Sequence, residues 1–397
     1  MGFKPDGRKR LAGGFVFRLQ NPGYTVRMDA TPAVIQPQFT CSNKIPTSYS
    51  DATTLKRIKA GTTRLVGAAN TDGAFPIWAD FVKRGLNWNH SHHREFGVHA
   101  GWYTVQDLVD HYLEARSYGV VTTIGLMDKL GETTPWGQDE FKNRMMAFDA
   151  AAEKVYSENM RVIEPIIRLG CVVAISLDNE CAGRTTAPKG LEFYRKWSQR
   201  VKQINPNVMT TAFADAWQIN ADPHWLHTIK EMDAWQVHFY GGSEDFGPHG
   251  KGSWVNEKWH YDGVKWHDDW LKSNGTPKPA LVTEFGSYNV SPYYVENLLS
   301  FQLLAAQRGW HTAQFAYDTG AGANDKYSAY SDQRYMDSLL FGGYLNRNRA
   351  GLDVEQGGDA MSATGEKVTM LNRHRVKVGS YVWDTMVETP AGVARVI

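Results

Sequence analysis

The chain has 397 residues, enough for one large fold with appendages and short of two comfortable domains. Lys and Arg number 43 against 42 Asp and Glu, a net charge of +1, so there is no basic excess to neutralise a nucleic-acid backbone and no acidic excess to solvate a disordered chain. With 42% hydrophobic and 21% charged residues, and with 14 Trp, 18 Tyr and 17 Phe, it can fill a sizeable core and still place rings on a binding surface.

At the N-terminus the basic cluster Arg8, Lys9 and Arg10 is followed by a stretch that glycines interrupt and Arg18 ends, too early for the apolar core of a secretory signal. The sequence leaves the compartment open: secreted or periplasmic if a leader has been removed, otherwise cytoplasmic. No run of about 18 apolar residues occurs, so neither a transmembrane helix nor a membrane partner is expected. The cysteines, Cys41, Cys171 and Cys181, are odd in number and form no CxxC pair, which argues against a disulfide framework and against a cysteine zinc site. Nothing in the sequence sets the oligomeric state.

Residues 1–58 read as a β-rich segment, with short strands expected at Gly14–Leu19, Tyr24–Met28 and Ala33–Phe39 among Gly, Pro and Asn. From 59 to 348 a different rhythm holds. Helix-period stretches run through a glycine into short apolar or β-branched stretches at Gly85, Gly119, Gly170 and Gly309, the pattern of a helix stop followed by a strand. One helix is marked by Val105, Leu108, Val109, Tyr112 and Leu113 at helical spacing, with Thr104 and Asp107 forming a capping box at its start. Strands are expected at Thr63–Ala69, Leu86–Asn89, Val120–Met127, Cys171–Leu177, Val208–Ala214, Ala234–Tyr240, Ala280–Glu284 and His311–Tyr317. Several are continuously apolar, as strands buried on both faces are. Eight strands alternating with helices predict an α/β fold, a (β/α)₈ TIM barrel, with a doubly wound open sheet as the competitor. Residues 349–397 form a second β-rich segment, with strands expected at Val368–Leu371 and Val376–Trp383.

A barrel of this kind works at the C-terminal ends of its strands. Strand 4 ends Ser176-Leu177-Asp178-Asn179-Glu180, and strand 7 ends Leu281-Val282-Thr283-Glu284-Phe285-Gly286. Two glutamates facing one cleft suit glycoside hydrolysis, in which one carboxyl protonates the leaving oxygen and the other attacks the anomeric carbon or activates water. Asn179 beside the first glutamate can bind a hydroxyl without adding charge, and Tyr240 at the end of strand 6 can orient a carboxylate.

Asn179-Glu180 after strand 4, His238-Phe239-Tyr240 on strand 6 and Thr283-Glu284-Phe285-Gly286 on strand 7 together resemble the retaining glycoside hydrolases of clan A, nearest to the cellulase-like and mannanase-like enzymes of family 5. The stretch from Gly85 to His93 with Gly119 to Met127 also resembles their strand 2 to strand 3 region, and the likeness covers the barrel, about three quarters of the chain. The resemblance implies Glu180 as acid/base, Glu284 as nucleophile, Asn179 as partner of the sugar 2-hydroxyl, and His238 and Tyr240 as supports of the two carboxylates. A carbohydrate is the implied partner, and no metal or organic cofactor is expected. Two positions depart from the family pattern: Cys181 stands where proline commonly follows the Asn-Glu pair, and strand 8 reads Ala313-Gln314-Phe315-Ala316-Tyr317-Asp318 in place of its usual tryptophan.

Further candidates for the sugar site are His92 and His93, the tryptophans Trp88, Trp102, Trp136, Trp217 and Trp254 as ring platforms, and Tyr317 on strand 8. Two other functions compete with hydrolysis. The cluster His90, His92 and His93 could serve a zinc-dependent amidohydrolase-type barrel, although strand 5 supplies no histidine and strand 4 no lysine. The unusual strand 8 and Cys181 suit a catalytically inactive carbohydrate-binding barrel. Asn89-His90-Ser91, Asn274-Gly275-Thr276 and Asn289-Val290-Ser291 match the short glycosylation pattern.

Overall fold

A computed structural model of the chain describes residues 64–69, 78–91, 98, 101, 103–127, 130–181, 183–213, 222–241, 279–287, 298–299, 301–302, 305–306, 309–315, 317 and 333–347, with the backbone of six strands between 359 and 395. The expected strands at Gly14–Leu19, Tyr24–Met28 and Ala33–Phe39 lie outside them.

The eight barrel strands are β1 (Val66–Ala69), β2 (Trp88–Ser91), β3 (Val121–Gly125), β4 (Ala174–Ser176), β5 (Met209–Phe213), β6 (Ala234–Gly241), β7 (Ala280–Ser287) and β8 (His311–Gln314). All pair in parallel in chain order, and β1 pairs with β8 to close the barrel. The open doubly wound sheet is thereby excluded. The four glycine junctions behave as the sequence requires, with φ of 81° at Gly85, 79° at Gly119, 64° at Gly170 and 70° at Gly309, a backbone region that a Cβ disfavours. The expected capping box is present at the helix Val105–Ser117. The Asp107 N–H donates to Thr104 Oγ1 at 3.1 Å and the Thr104 N–H donates back to the Asp107 carboxylate at 2.6 Å.

The core has two shells, because residues on a barrel strand alternate between lumen and helix layer. The lumen holds Leu65, Ala69, Trp88, Val121, Val173, Met209, Ala234, Leu281 and Ala313, with Phe315 packed against them. The outer shell packs Ile124, Ile175, Trp235, Val237, Phe239, Val282 and Phe285 against helices such as Ala150–Arg168 and Ala187–Ile204. Strand β6 shows the alternation clearly. Trp235, Val237 and Phe239 belong to the outer shell, which leaves Ala234, Gln236, His238 and Tyr240 for the lumen.

After the helix Gln333–Arg347, an antiparallel sheet in the order β12-β11-β10-β9 comprises β9 (Asp359–Met361), β10 (Lys367–Asn372), β11 (Arg375–Val378) and β12 (Tyr381–Asp384). A separate pair follows, β13 (Met386–Thr389) with β14 (Gly392–Arg395). One expectation needs correction here. The single strand expected over Val376–Trp383 is a hairpin, with Val378 paired to Tyr381 and only Gly379-Ser380 between them, a dipeptide of the kind that favours a two-residue turn. Strands β9, β13 and β14 were not expected from the sequence.

Candidate active site at the mouth of the barrel

Beyond β4 the chain turns sharply. Tyr156, on the helix Ala150–Arg168, donates its hydroxyl to Leu177 O at 2.6 Å and ties the strand exit to the outer layer. Asp178 and Asn179 are buried, while Glu180, in the left-handed region at φ 52°, turns its side chain outward to 51% exposure. A glutamate in that conformation costs free energy and is held by its surroundings. Here the Cys181 N–H donates to Asp178 Oδ2 at 3.3 Å, bridging the residues on either side of the turn.

Strand β7 delivers the second carboxylate by a different device. Val282 pairs with Val237, but the next pair is His238 with Glu284, so Thr283 is an extra residue and the strand bulges there. Regular alternation from Val282, which lies in the outer shell, would send Glu284 outward as well. The bulge reverses its facing. Glu284, 8% exposed, meets the Tyr240 hydroxyl in a short hydrogen bond and lies 3.5 Å from His238 Nδ1. Gly286 makes room for this arrangement, since a Cβ there would sit 2.9 Å from Tyr240 Cε1. On another side the Tyr240 ring meets Phe315 edge-on at 5.9 Å.

His238 joins the two glutamates. Its Nδ1 lies 2.9 Å from Glu180 Oε1, its Nε2 lies 3.0 Å from Thr283 Oγ1, and Phe213 packs edge-on against the ring at 4.8 Å. One ligand atom each from Glu180, His238 and Glu284 fit within 4.8 Å of one another. The site thus pairs an exposed carboxyl with a buried one that accepts hydrogen bonds.

Among the residues expected at the site, the structure brings together Glu180, Glu284, His238 and Tyr240, with buried Asn179 next to Glu180. It places Trp88 and Tyr317 in the core. Trp88 is fully buried in the barrel lumen, where its indole N–H donates to Thr123 Oγ1 at 3.0 Å, so it offers no face to a ligand. Tyr317 packs edge-on against Phe81 at 6.1 Å in the outer shell. Trp136 is half-buried before the helix Gly137–Met146, with the Arg144 guanidinium 4.7 Å over its ring. Trp102, Trp217, Trp254, His92 and His93 lie outside the described residues. His90, proposed above as part of a zinc cluster, is buried with Nδ1 engaged by Thr123 Oγ1 at 2.6 Å. Among the described residues the only group with metal-ligand spacing is Glu180, His238 and Glu284, and it does not include His90. Asn89 is fully buried, so its glycosylation pattern is closed to modification in the folded chain.

Asp178 and Cys181, neither of them expected from the sequence to act at the site, shape the strand 4 turn. Burial raises the Asp178 carboxyl from its ordinary 3.8 to about 6, with the Tyr194 hydroxyl, the backbone N–H groups of Cys181 and Phe213, and the Lys142 charge pulling it back. Burial and the Asp178 charge push the Cys181 thiol well up, so this cysteine is a packing residue, 3.8 Å from Met127 Sδ, and no nucleophile. A raised carboxyl binds its proton more tightly in the folded chain than in the unfolded one. The Asp178 contribution to stability is therefore present at low pH and is lost as pH rises from about 4 to about 6. Asp178→Asn removes that dependence. In denaturant titrations the variant should lose less stability than wild type between about pH 4 and about pH 7, by on the order of 2 kcal/mol.

No family model matches the sequence, and no curated protein matches it. Solved structures do match in shape. The endo-beta-1,4-mannanase from Thermotoga petrophila superimposes with a TM-score of 0.59 at 13% identity, over 85% of this chain and 91% of that one. This chain shares its barrel fold. The hyperthermostable endo-1,4-beta-D-mannanase of Thermotoga petrophila RKU-1 gives 0.53 at 14% identity, over 71% and 99% of the two chains. A glycoside hydrolase family 5 mannosidase from Rhizomucor miehei gives 0.51 at 12% identity, over 73% and 94%. At such identities the likeness is one of fold, and the site must be argued from its own geometry.

Proposed function

We propose that the protein is a retaining β-glycoside hydrolase acting on a poly- or oligosaccharide. Glu284 attacks the anomeric carbon as the glycosidic C–O bond breaks, and Glu180 gives its proton to the departing oxygen. A water then loses a proton to Glu180 and attacks the same carbon, which releases Glu284 and the sugar. The observation that carries this reading is the convergence of two carboxylates from β4 and β7 at one barrel mouth, with atoms that fit within 4.8 Å. Retaining enzymes hold their carboxyl groups about 5–5.5 Å apart and inverting ones about 6.5–9.5 Å, so the spacing favours retention. Asn179, beside Glu180, is the proposed partner of the sugar 2-hydroxyl, and the Tyr240 hydroxyl orients Glu284 by donating to it. The mannanase and mannosidase barrels of like fold support a carbohydrate substrate. We take the catalytic barrel as residues 59–348, with 1–58 and 349–397 as flanking β-rich segments.

The test is incubation with a panel of plant, algal and microbial β-glycans, followed by NMR of the first product anomer. New reducing ends appearing first in the β-configuration are expected. Binding without new reducing ends would replace hydrolysis by the carbohydrate-binding reading, and α-anomers would replace retention by inversion.

A further inference from the structure

The bulge in β7 places two successive side chains, Thr283 and Glu284, against the same histidine. Thr283 is fully buried, and among the described residues the one partner of its hydroxyl is His238 Nε2, at 3.0 Å. We propose that Thr283 is a positioning residue that sets the tautomer of His238, and through it the direction of the hydrogen bond between His238 and Glu180. This inference rests on the acid/base role proposed for Glu180.

The argument is one of proton placement. A buried hydroxyl has one proton to donate, and leaving it unpaired costs about 1–3 kcal/mol. Donating to Nε2 satisfies it and confines the single proton of the neutral imidazole to Nδ1. The Nδ1–H then points at Glu180 Oε1, 2.9 Å away, with Glu284 Oε2 at 3.5 Å. The other tautomer would aim the Nδ1 lone pair at both carboxylates and leave the threonine proton unpaired. Among the described residues, charged or titratable groups that face the ring include Glu180 beyond β4 and Glu284 on β7, with the Tyr240 phenol bound to the latter; Phe213 on β5 adds no charge. In the favoured tautomer His238 donates to Glu180 and stabilises its ionised form. Glu180 therefore gives up its proton to a leaving group more readily, and is protonated over a narrower pH range, than it would beside an unanchored ring.

The tautomer is read directly by long-range ¹⁵N–¹H NMR of the histidine rings, with the His238 signals assigned by their loss in His238→Gln. Wild type should show a protonated Nδ1 and an unprotonated Nε2 near neutral pH. Thr283→Val should abolish that pattern, and Thr283→Ser should restore it. On any glycan that the panel identifies, Thr283→Val should move the basic limb of the kcat/KM profile upward by about half to one pH unit, with little change in KM, and Thr283→Ser should move it back. A wild-type ring protonated on Nε2 overturns the proposal, and so does a Thr283→Val ring with unchanged nitrogen shifts. If the NMR pattern changes but the basic limb stays, the coupling to Glu180 is rejected. Should Thr283→Val fail to fold, the wild-type ring and Thr283→Ser still decide. The expected NMR pattern in a protein that cleaves no glycan would instead reject the hydrolase reading and leave the tautomer assignment standing.

Discussion

Glu284→Gln should eliminate turnover of any glycan that wild type cleaves, lowering kcat by on the order of 10³-fold or more, with melting temperature nearly unchanged. Gln keeps the shape of Glu and an oxygen that can accept from Tyr240, so the bond that positions the side chain survives. What is lost is the negative oxygen that, in the proposed mechanism, bonds the anomeric carbon. An amide cannot form that ester-like intermediate. Glu180→Gln makes the contrast, with an expected loss of about 10²–10⁴-fold, the range for a single general acid/base. That loss should shrink for substrates whose leaving group departs without a proton, because only the first step would then be relieved of its need for Glu180. Steady-state kinetics on a natural glycan and on an activated aryl glycoside read both effects. Unchanged turnover in Glu284→Gln would reject its role.

Gly67→Ala should abolish folding to the native barrel, or destabilise it by more than about 3 kcal/mol, the upper end for ordinary overpacking. A Cβ at Gly67 would sit 1.5 Å from Trp88 O and 2.5 Å from its carbonyl carbon, and both are backbone atoms of the strand with which Gly67 pairs. No rotamer change relieves a clash with backbone. To admit the methyl group, β1 would have to move away from β2, and β1 also pairs with β8 to close the barrel. Denaturant unfolding, or the yield of folded protein where no transition is seen, checks this expectation. A variant as stable as wild type would show that β1 and β2 can separate at this point.

Much of the fold was legible in local signals. The four glycine stops, the Thr104–Asp107 capping box and the apolar strands each act over a few residues, so their sequence pattern carries the structural information. The same holds for the ends of β4 and β7, where a strand signal followed by Asn179-Glu180 or containing Thr283-Glu284 marks candidate carboxylates. Aromatic residues were less informative. Trp88 on β2 and Tyr317 just beyond β8 occupy positions compatible with either a cleft or a core, and burial in the lumen and the outer shell respectively puts both in the core. Composition cannot distinguish those outcomes because both settings favour large rings.

By itself, then, the sequence determined the βα alternation, the strand count of the barrel and the residues that could do acid–base chemistry. Only the tertiary structure decided which way those residues face. Strict alternation along β7 would turn Glu284 outward with Val282, and the bulge at Thr283, visible only in the pairing with β6, turns it into the barrel toward His238 and Tyr240. The left-handed turn at Glu180 is likewise held by Asp178 and Cys181 within a buried loop. A bulge or a strained turn depends on neighbours from distant parts of the chain, so no short stretch of sequence specifies it.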